Sequence, residues 1–363
     1  MPIELDYEIA PCLRESAISS SAREFVEAAR ALGSGKVASF TRSWCVAHLF
    51  QRSELIFQSG EEPVAAFGGM LFQTAGLLVR MKSVGFTDLG TVLSGDGGVA
   101  GKTNGVEKAT GEHYGRLFEN FSAESYWGET IGLLRTRLER NGIEGHLFEG
   151  KSVLDAGCGG GRYTAAWRLL GARPALGVDI SPVNVSDATR RVEAANLSDI
   201  GFSEGNCLSL PAEDNVFDVV FSNGVLHHTV DWRKGVIELL RVMKPGGLGW
   251  LYLIEDPGGL FWDLIEILRV VMRDEDRDLA RQALYALGLP SNRVFYMLDH
   301  VLVPINVRLT PQTIEGALSD AGARDIRRLT RGTDFDRVER IYQGEPFAVE
   351  KFGVGENRYV FSK

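Results

Sequence analysis

The sequence predicts an α/β protein built on a doubly wound, mostly parallel sheet of seven strands, with a helical cap insertion and a separate N-terminal region. Three observations carry that prediction. From residue 151 onward short apolar runs alternate with helical ones, the pattern of parallel strands covered by helices on both faces. Between 256 and 309 the alternation gives way to apolar residues at helical spacing. Before residue 100 the chain carries helical patterns of its own.

The elements follow in order. "SSSAREFVEAARALGSG" reads as a helix with serines ahead of its apolar positions and Gly33 at its end, and "TRSWCVAHLFQRSELIF" as another. "VAAFGGMLFQTAGLLV" contains Gln73 and three glycines, and falls short of the roughly 18 clean apolar residues of a membrane span. Residues 1–100 form the accessory region, and the glycine-rich stretch at 101–110 is the expected linker. It ends a near-imitation of a phosphate loop: Gly101-Lys102-Thr103 is present, but the first glycine that motif needs is Asp96. Residues 111–363 form the second domain. Its strands are "SVLDAG", "PALGVDIS", "IGFSEGNC", "FDVVFSNG", "LGWLYLIE", one after residue 320, and "NRYVFS". The helix "WRKGVIELLRVMKPGG" precedes the fifth. The insertion 256–309 reads as a cap, and the polar stretch 331–355 carries no chemistry that the sequence discloses.

Composition sets bounds. With 44% hydrophobic and 24% charged residues the chain is ordinary for a globular protein. Its net charge of -9 divides as -5 over residues 1–150 (14 basic, 19 acidic) and -4 over the rest (25 basic, 29 acidic). Neither half offers a broad phosphate-binding surface, which argues against a nucleic-acid partner. Cys12, Cys45, Cys158 and Cys207 form no metal-binding spacing, so no metal is expected. Reduced thiols and an N-terminus without a basic-then-apolar leader lead to the expectation of a cytoplasmic protein with no membrane span.

"VLDAGCGGGRYT" marks the ligand site. A dinucleotide fingerprint starting at Gly157 and Gly159 needs its third glycine at 162, where Arg162 stands. What fits is a carboxylate followed by alternate glycines: Asp155, Gly157, Gly159, Gly161. A carboxylate at a strand's mouth sits poorly beside two phosphates and suits an ammonium or sulfonium group. The loop alone leaves the choice open, since any tight strand-to-helix turn favours glycine. Asp179 closes the second strand, where it can accept from ribose hydroxyls. That feature serves a dinucleotide equally well. Asn206 and Cys207 follow the third strand, and "FSNGVLHHT" follows the fourth.

Together, these residues resemble the class I S-adenosylmethionine-dependent methyltransferases, the broad group that includes the quinone-biosynthesis enzymes. The resemblance is strong over 111–255 and looser over 310–363. It implies that Asp155, Gly157, Gly159 and Gly161 approach the methionine part of S-adenosylmethionine. It further implies that Asp179 binds the ribose and that Ile180 lies against the adenine. Asn206 takes the place of the family's usual Asp at the adenine amino group. Cys207 would offer its backbone N–H to the ring, and Asn223 would face the methionine or the reacting centre. Ordinary turn chemistry is the alternative for Asn206 and Asn223.

A methyl acceptor with a hydroxyl needs a base. Candidates are His228 first, then His227, His300 in the cap and His113, with a lining or packing role as the alternative for each. Tyr114 and Tyr126 could flank the sulfonium or pack in the core. The apolar stripe at 260, 261, 264, 265, 267 and 268 suits a core-facing helix, a substrate platform or a homodimer contact. The expected activity is O-methylation of a small molecule: a sugar, a quinone-like compound or a natural-product intermediate. The competing readings are a methyltransferase acting on RNA or protein, a non-catalytic cofactor-binding partner subunit and, more distantly, an NAD-dependent oxidoreductase.

Overall fold

The structure, a computed structural model, describes residues 18–86 and 123–363, the side chains of 123–126 excepted. In chain order it contains α1 (Ser19–Arg30), α2 (Lys36–Gln58), α3 (Pro63–Ser83) and α4 (Ala123–Arg140). Then come β1 (Val153–Ala156), α5 (Arg162–Leu169), β2 (Ala175–Asp179), α6 (Pro182–Ala194), β3 (Ile200–Glu204) and β4 (Phe217–Asn223). They are followed by α7 (Trp232–Val242), β5 (Met243–Leu253), α8 (Gly259–Met272), α9 (Arg277–Ala286) and α10 (Ser291–Leu302). The last are α11 (Pro311–Asp320), β6 (Arg324–Arg328), α12 (Arg337–Tyr342), α13 (Ala348–Phe352) and β7 (Asn357–Ser362). The linker at 101–110 with its Gly101-Lys102-Thr103, and also Cys12, His113, Tyr114 and the side chain of Tyr126, lie outside the described residues.

Local chemistry sets the helix starts. Ser181 Oγ accepts from Asn184 N ahead of α6, and Thr310 Oγ1 from Thr313 N ahead of α11, each followed by the proline that opens the helix. Asp231 and Asp276 cap α7 and α9 by accepting from Lys234 N and Leu279 N. At α1 the sequence suggested a serine cap, but Ile18 occupies that place and the serines fall in the first turn. Helix α7 stops at Val242, short of the sequence expectation. Met243 already pairs with Phe217, so the Pro-Gly-Gly turn lies within β5.

The described elements group into two units. The first consists of α1–α3, α8–α10 and α13, and the second holds the sheet with α4–α7, α11 and α12. In the first unit, buried cations satisfy helix ends. Arg42 pairs with Glu275 and donates to the carbonyls of Ala29 and Gly33, while Lys351 donates to Phe57 O at 2.8 Å and Glu345 at 2.9 Å. Helix α3 spans 21 residues, long and apolar enough by composition to cross a membrane, a test that core helices also pass. One face of it, with Phe67, Met70, Leu71, Thr74, Ala75 and Leu78, is buried, and it packs with α1 and α2.

The second unit is a seven-stranded sheet in the order β3-β2-β1-β4-β5-β7-β6. Strands β1 to β5 pair in parallel, and β7 runs antiparallel to both β5 and β6. Alternation along the strands sends side chains to two cores. Leu154, Val220, Leu251 and Leu253 join α7 and α11 residues on one side. Val153, Val219, Phe221 and Trp250 meet Trp167, Phe148 and Leu134 on the other. The strand order reverses between β1 and β4, opening a crevice at their carboxyl ends.

The polar stretch after 330 is anchored in this unit by buried charge. Asp336 accepts from Arg137 Nε and Nη2 at 2.8 Å each, from Arg358 Nη2 at 2.9 Å and from Thr333 N at 2.7 Å. Arg337 reaches Glu255 at 2.8 Å, and Glu356 accepts from Arg337 N and Val338 N. Burial alone would raise the Asp336 carboxyl, but Arg358 and Arg137 hold it well below its usual range. Removing one member of such a set strands the others without compensation. Asp336→Ala should therefore lower unfolding free energy by about 3–5 kcal/mol in urea titrations followed by tryptophan fluorescence. A loss below about 1 kcal/mol, the scale of an exposed ion pair, would show that the network contributes little.

Candidate active site

The site starts from the turn after β1. Gly157 has φ +82°, and a Cβ there would lie 2.3 Å from Val225 Cγ1 in the loop after β4. Gly161 has φ +78°, and a Cβ there would meet the Phe202 ring at 2.6 Å. Both positions therefore need glycine for backbone conformation and for space. Gly157 N and Cys158 N donate to Val178 O at 2.7 and 3.0 Å, and Gly159 N donates to Asp179 Oδ2 at 2.8 Å. The glycine loop is thus fastened to the end of β2.

Asp179 is the centre of these bonds. Its Oδ1 accepts from Ser181 N and from Asn184 Nδ2, both at 2.9 Å. Asn184 is 1% exposed, and its donation to Asp179 fixes which way its amide points. Sequence reasoning passed over Asn184. Its spacing after the strand-ending acid, within the first turn of a proline-started helix, was the available signal. Ile180 follows half-buried.

Asp155 lies inside the unit rather than at the strand's mouth. It is 2% exposed, and its Oδ2 accepts from Thr164 Oγ1 of α5 at 2.7 Å. Burial pushes its carboxyl up to about 7; the Thr164 bond opposes the shift and the nearby Asp179 adds to it. Burial also raises Asp179, against the hydrogen bonds from Asn184, Ser181 and Gly159. Two adjacent carboxyls that burial disfavours as anions form a site suited to a ligand bringing positive charge or hydroxyl donors.

The remaining residues divide between expectation and local structure. Asn206 Oδ1, expected to face an adenine amino group, accepts from Leu208 N at 2.8 Å in an Asx turn. Cys207 is buried beside it. Asn223 ends β4, and its Oδ1 accepts from Trp250 Nε1 at 3.2 Å. His227 is buried and takes Ile254 N on its Nδ1 at 3.3 Å, which places any ring proton on Nε2. His228 has its Nδ1 2.7 Å from Ile305 O. A carbonyl only accepts, so that nitrogen carries a proton, and Nε2 is the basic nitrogen of the neutral ring. The two rings are 4.1 Å apart, edge to face. His300 belongs to the first unit, where its Nδ1 donates to Tyr296 O at 2.7 Å among the rings of Phe261, Trp262 and Tyr296. Among the described residues no cluster could hold a metal ion.

The Asp155 shift has a sign that can be tested. Its folded pKa lies above its unfolded value, so the stability it contributes is complete below about pH 4 and is lost as pH rises through 7. Compared with Asp155→Asn, the unliganded protein should lose about 1.4 kcal/mol of stability per pH unit between pH 4.5 and 7. Parallel curves for the two proteins across that range would contradict the assignment.

Residues 154–251 match a family model described as a methyltransferase domain. The chain is 34% identical over 128 residues to 27-O-demethylrifamycin SV methyltransferase of Amycolatopsis mediterranei, covering 34% of this chain and 47% of that protein. It is 33% identical over 121 residues to the ubiquinone biosynthesis O-methyltransferase of Maricaulis maris, covering 32% and 47%. It is 36% identical over 102 residues to demethylmenaquinone methyltransferase of Bacillus cereus, covering 27% and 42%. The chain thus spans about half the length of these relatives or less. The sheet, its glycine loop and these similarities agree: the second unit has the class I S-adenosylmethionine-dependent methyltransferase fold and is related to the quinone and O-methyltransferases.

Proposed function

We propose that this chain is an S-adenosylmethionine-dependent methyltransferase that methylates an oxygen of a small-molecule acceptor. The observation that carries the reading is the Gly159 N–H bound to the Asp179 carboxylate, at the carboxyl ends of β1 and β2 beside the crevice where the strand order reverses. The residues fit the cofactor. Asp179 Oδ2 takes one hydrogen bond and keeps a lone pair for a ribose hydroxyl, whereas Oδ1 already takes two. One hydroxyl is therefore gripped more directly than a second. Ile180 stands next to that acid for contact with the adenine. Asp155 and Asp179 place negative potential behind the loop that would hold the methionine end. When bound, S-adenosylmethionine supplies an electrophilic methyl group on a sulfonium.

The chain's own residues orient the partners and move a proton. Alignment of two bound reactants can supply roughly 7–11 kcal/mol of the barrier reduction. His228, its Nδ1 proton fixed on Ile305 O, presents Nε2 to take the proton that an acceptor hydroxyl must lose. The names of the relatives support a small acceptor, since they describe methylation of a rifamycin and of quinone precursors. The acidic chain supports a reaction without nucleic acid, and the buried cysteines Cys45, Cys158 and Cys207, none of them in a disulfide, support a cytoplasmic setting.

Calorimetry should show binding of S-adenosylmethionine and of its demethylated product, with Asp179→Ala weakening both at least about tenfold, or 1.4 kcal/mol. Binding of NAD in place of both ligands would overturn the reading. Label from methyl-labelled cofactor should enter small metabolites; label in RNA or protein, or bound cofactor without transfer, would support the competing functions. His228→Gln should lower kcat by about 10²–10⁴-fold, leave cofactor affinity unchanged and remove the acidic limb of the kcat profile. A variant with a wild-type profile would return His228 to a lining role.

A further inference from the structure

Helix α3 carries a face that the described residues of the first unit leave uncovered. Only 33% of its most apolar 18-residue window is buried. Phe72 is 59% exposed and Val79 58% exposed. At 100° per residue, Ala65, Gly69, Phe72, Gly76 and Val79 share one stripe, opposite the buried Phe67, Leu71, Thr74 and Leu78. Glu62 caps the amino end, where its carboxylate accepts from Val64 N and Ala65 N. Gly69 and Gly76 flank Phe72, one turn before and one turn after. A Cβ on Gly69 would meet nothing within 4 Å, and one on Gly76 only the tip of Arg80 of the same helix. The stripe is an aromatic knob between two open notches.

The charges at its two ends say what covers it. Glu61 and Glu62 stand exposed at the amino end, and Arg80 and Lys82 stand exposed at the carboxyl end. A second α3 laid antiparallel about a two-fold axis at Phe72 brings Glu62 to the level of Lys82, within about 3 Å along the axis of Arg80. The same register sets Ala65 opposite Val79 and brings the two Phe72 rings together on the axis, with Gly69 and Gly76 leaving room on either side. A face whose end charges complement each other and whose apolar centre meets itself under one rotation fits an isologous interface. An interfacial lipid contact would favour basic residues along the polar margin, and this helix is acidic at one end.

We propose that this chain forms a homodimer through antiparallel packing of α3 on α3 of a second copy. The proposal is independent of the methyl-transfer reading, because no residue of the stripe belongs to the candidate site. Sedimentation velocity on the full chain should give twice the 39.8 kDa monomer mass. Gly69→Arg and Phe72→Glu, both at solvent-facing positions, should each yield monomers with unchanged circular dichroism and a thermal midpoint that no longer rises with protein concentration. Arg80→Glu should raise the dimer dissociation constant at least tenfold, and Glu62→Lys with Arg80→Glu should restore it to within about threefold of wild type, once corrected for the cost of the lost α3 cap that the single Glu62→Lys variant reports. Phe72→Cys in a Cys12→Ser background should cross-link to a covalent dimer on mild oxidation. A wild type that stays monomeric at 100 µM, or a dimer indifferent to these variants, overturns the proposal. Monomeric protein co-sedimenting with phosphatidylcholine–phosphatidylglycerol vesicles through this helix would also overturn it and assign the face to lipid.

Discussion

The bond from Gly159 N–H to the Asp179 carboxylate fastens the middle of the loop after β1 to the end of β2, beyond the bonds of Gly157 N and Cys158 N to Val178 O, and the candidate site depends on it. Gly157 and Gly161 can adopt their left-handed conformations only because no side chain competes with Val225 and Phe202 for the same space. The loop they form would have several arrangements if nothing fixed its middle. Asp179 supplies that fixing point, and Ser181 N and Asn184 Nδ2 hold Asp179 in turn. The first turn of α6, the end of β2 and the glycine loop therefore behave as one hydrogen-bonded unit, positioned before any ligand arrives. Such preorganisation lowers the ordering cost of binding.

That arrangement carries an electrostatic cost, and the cost is informative. Burial disfavours the charged forms of both Asp155 and Asp179, and the Asp179 anion adds to the shift at Asp155. A structural loop would be more stable with neutral residues in their place, as buried ionic groups generally are less stabilising than apolar replacements. A ligand that brings positive charge or hydroxyl donors offsets the penalty on binding, so free energy stored in the unliganded site reappears as affinity. The same logic separates these acids from Asp336. There the counter-charges of Arg137 and Arg358 are built into the chain, and the carboxylate is stabilised as an anion without any ligand.

How far the sequence could be read follows from which interactions are local. The alternation of strand and helix is a periodicity, and every strand of the parallel core was legible from it. The displaced glycine at Arg162 was legible too, because a dinucleotide fingerprint is a matter of spacing along the chain. Side-chain direction was harder. Asp155 reads as a carboxylate at a mouth, yet it is the third residue of a four-residue strand and points under α5 to Thr164. Asn206 reads as an adenine contact with a turn as the alternative, and the Leu208 N–H engages its oxygen in the turn. The stretch after 330 disclosed nothing, because its partners Arg137, Glu255 and Arg358 are distant in sequence and pairing between charges leaves no periodic trace.

The two adjacent histidines show how such distant contacts decide chemistry. His227 and His228 are equivalent by composition, and nothing in "LHHT" separates an acceptor nitrogen from a donor. The separation comes from backbone groups elsewhere. Ile254 N, just beyond β5, donates to His227 and fixes its proton on Nε2, while Ile305 O accepts from His228 and fixes its proton on Nδ1. The extended segment 305–309 makes this possible: Val307 N binds His227 O, and Leu309 N binds Ile254 O. It lies alongside the ends of β4 and β5 in the manner of a short extra strand. Val307 and Leu309 pack toward the core on one side of it, so the segment is held by apolar burial while its polar backbone sets the tautomers. A histidine of defined tautomer therefore arises from the placement of a segment 77 residues away rather than from any property of the histidine pair itself.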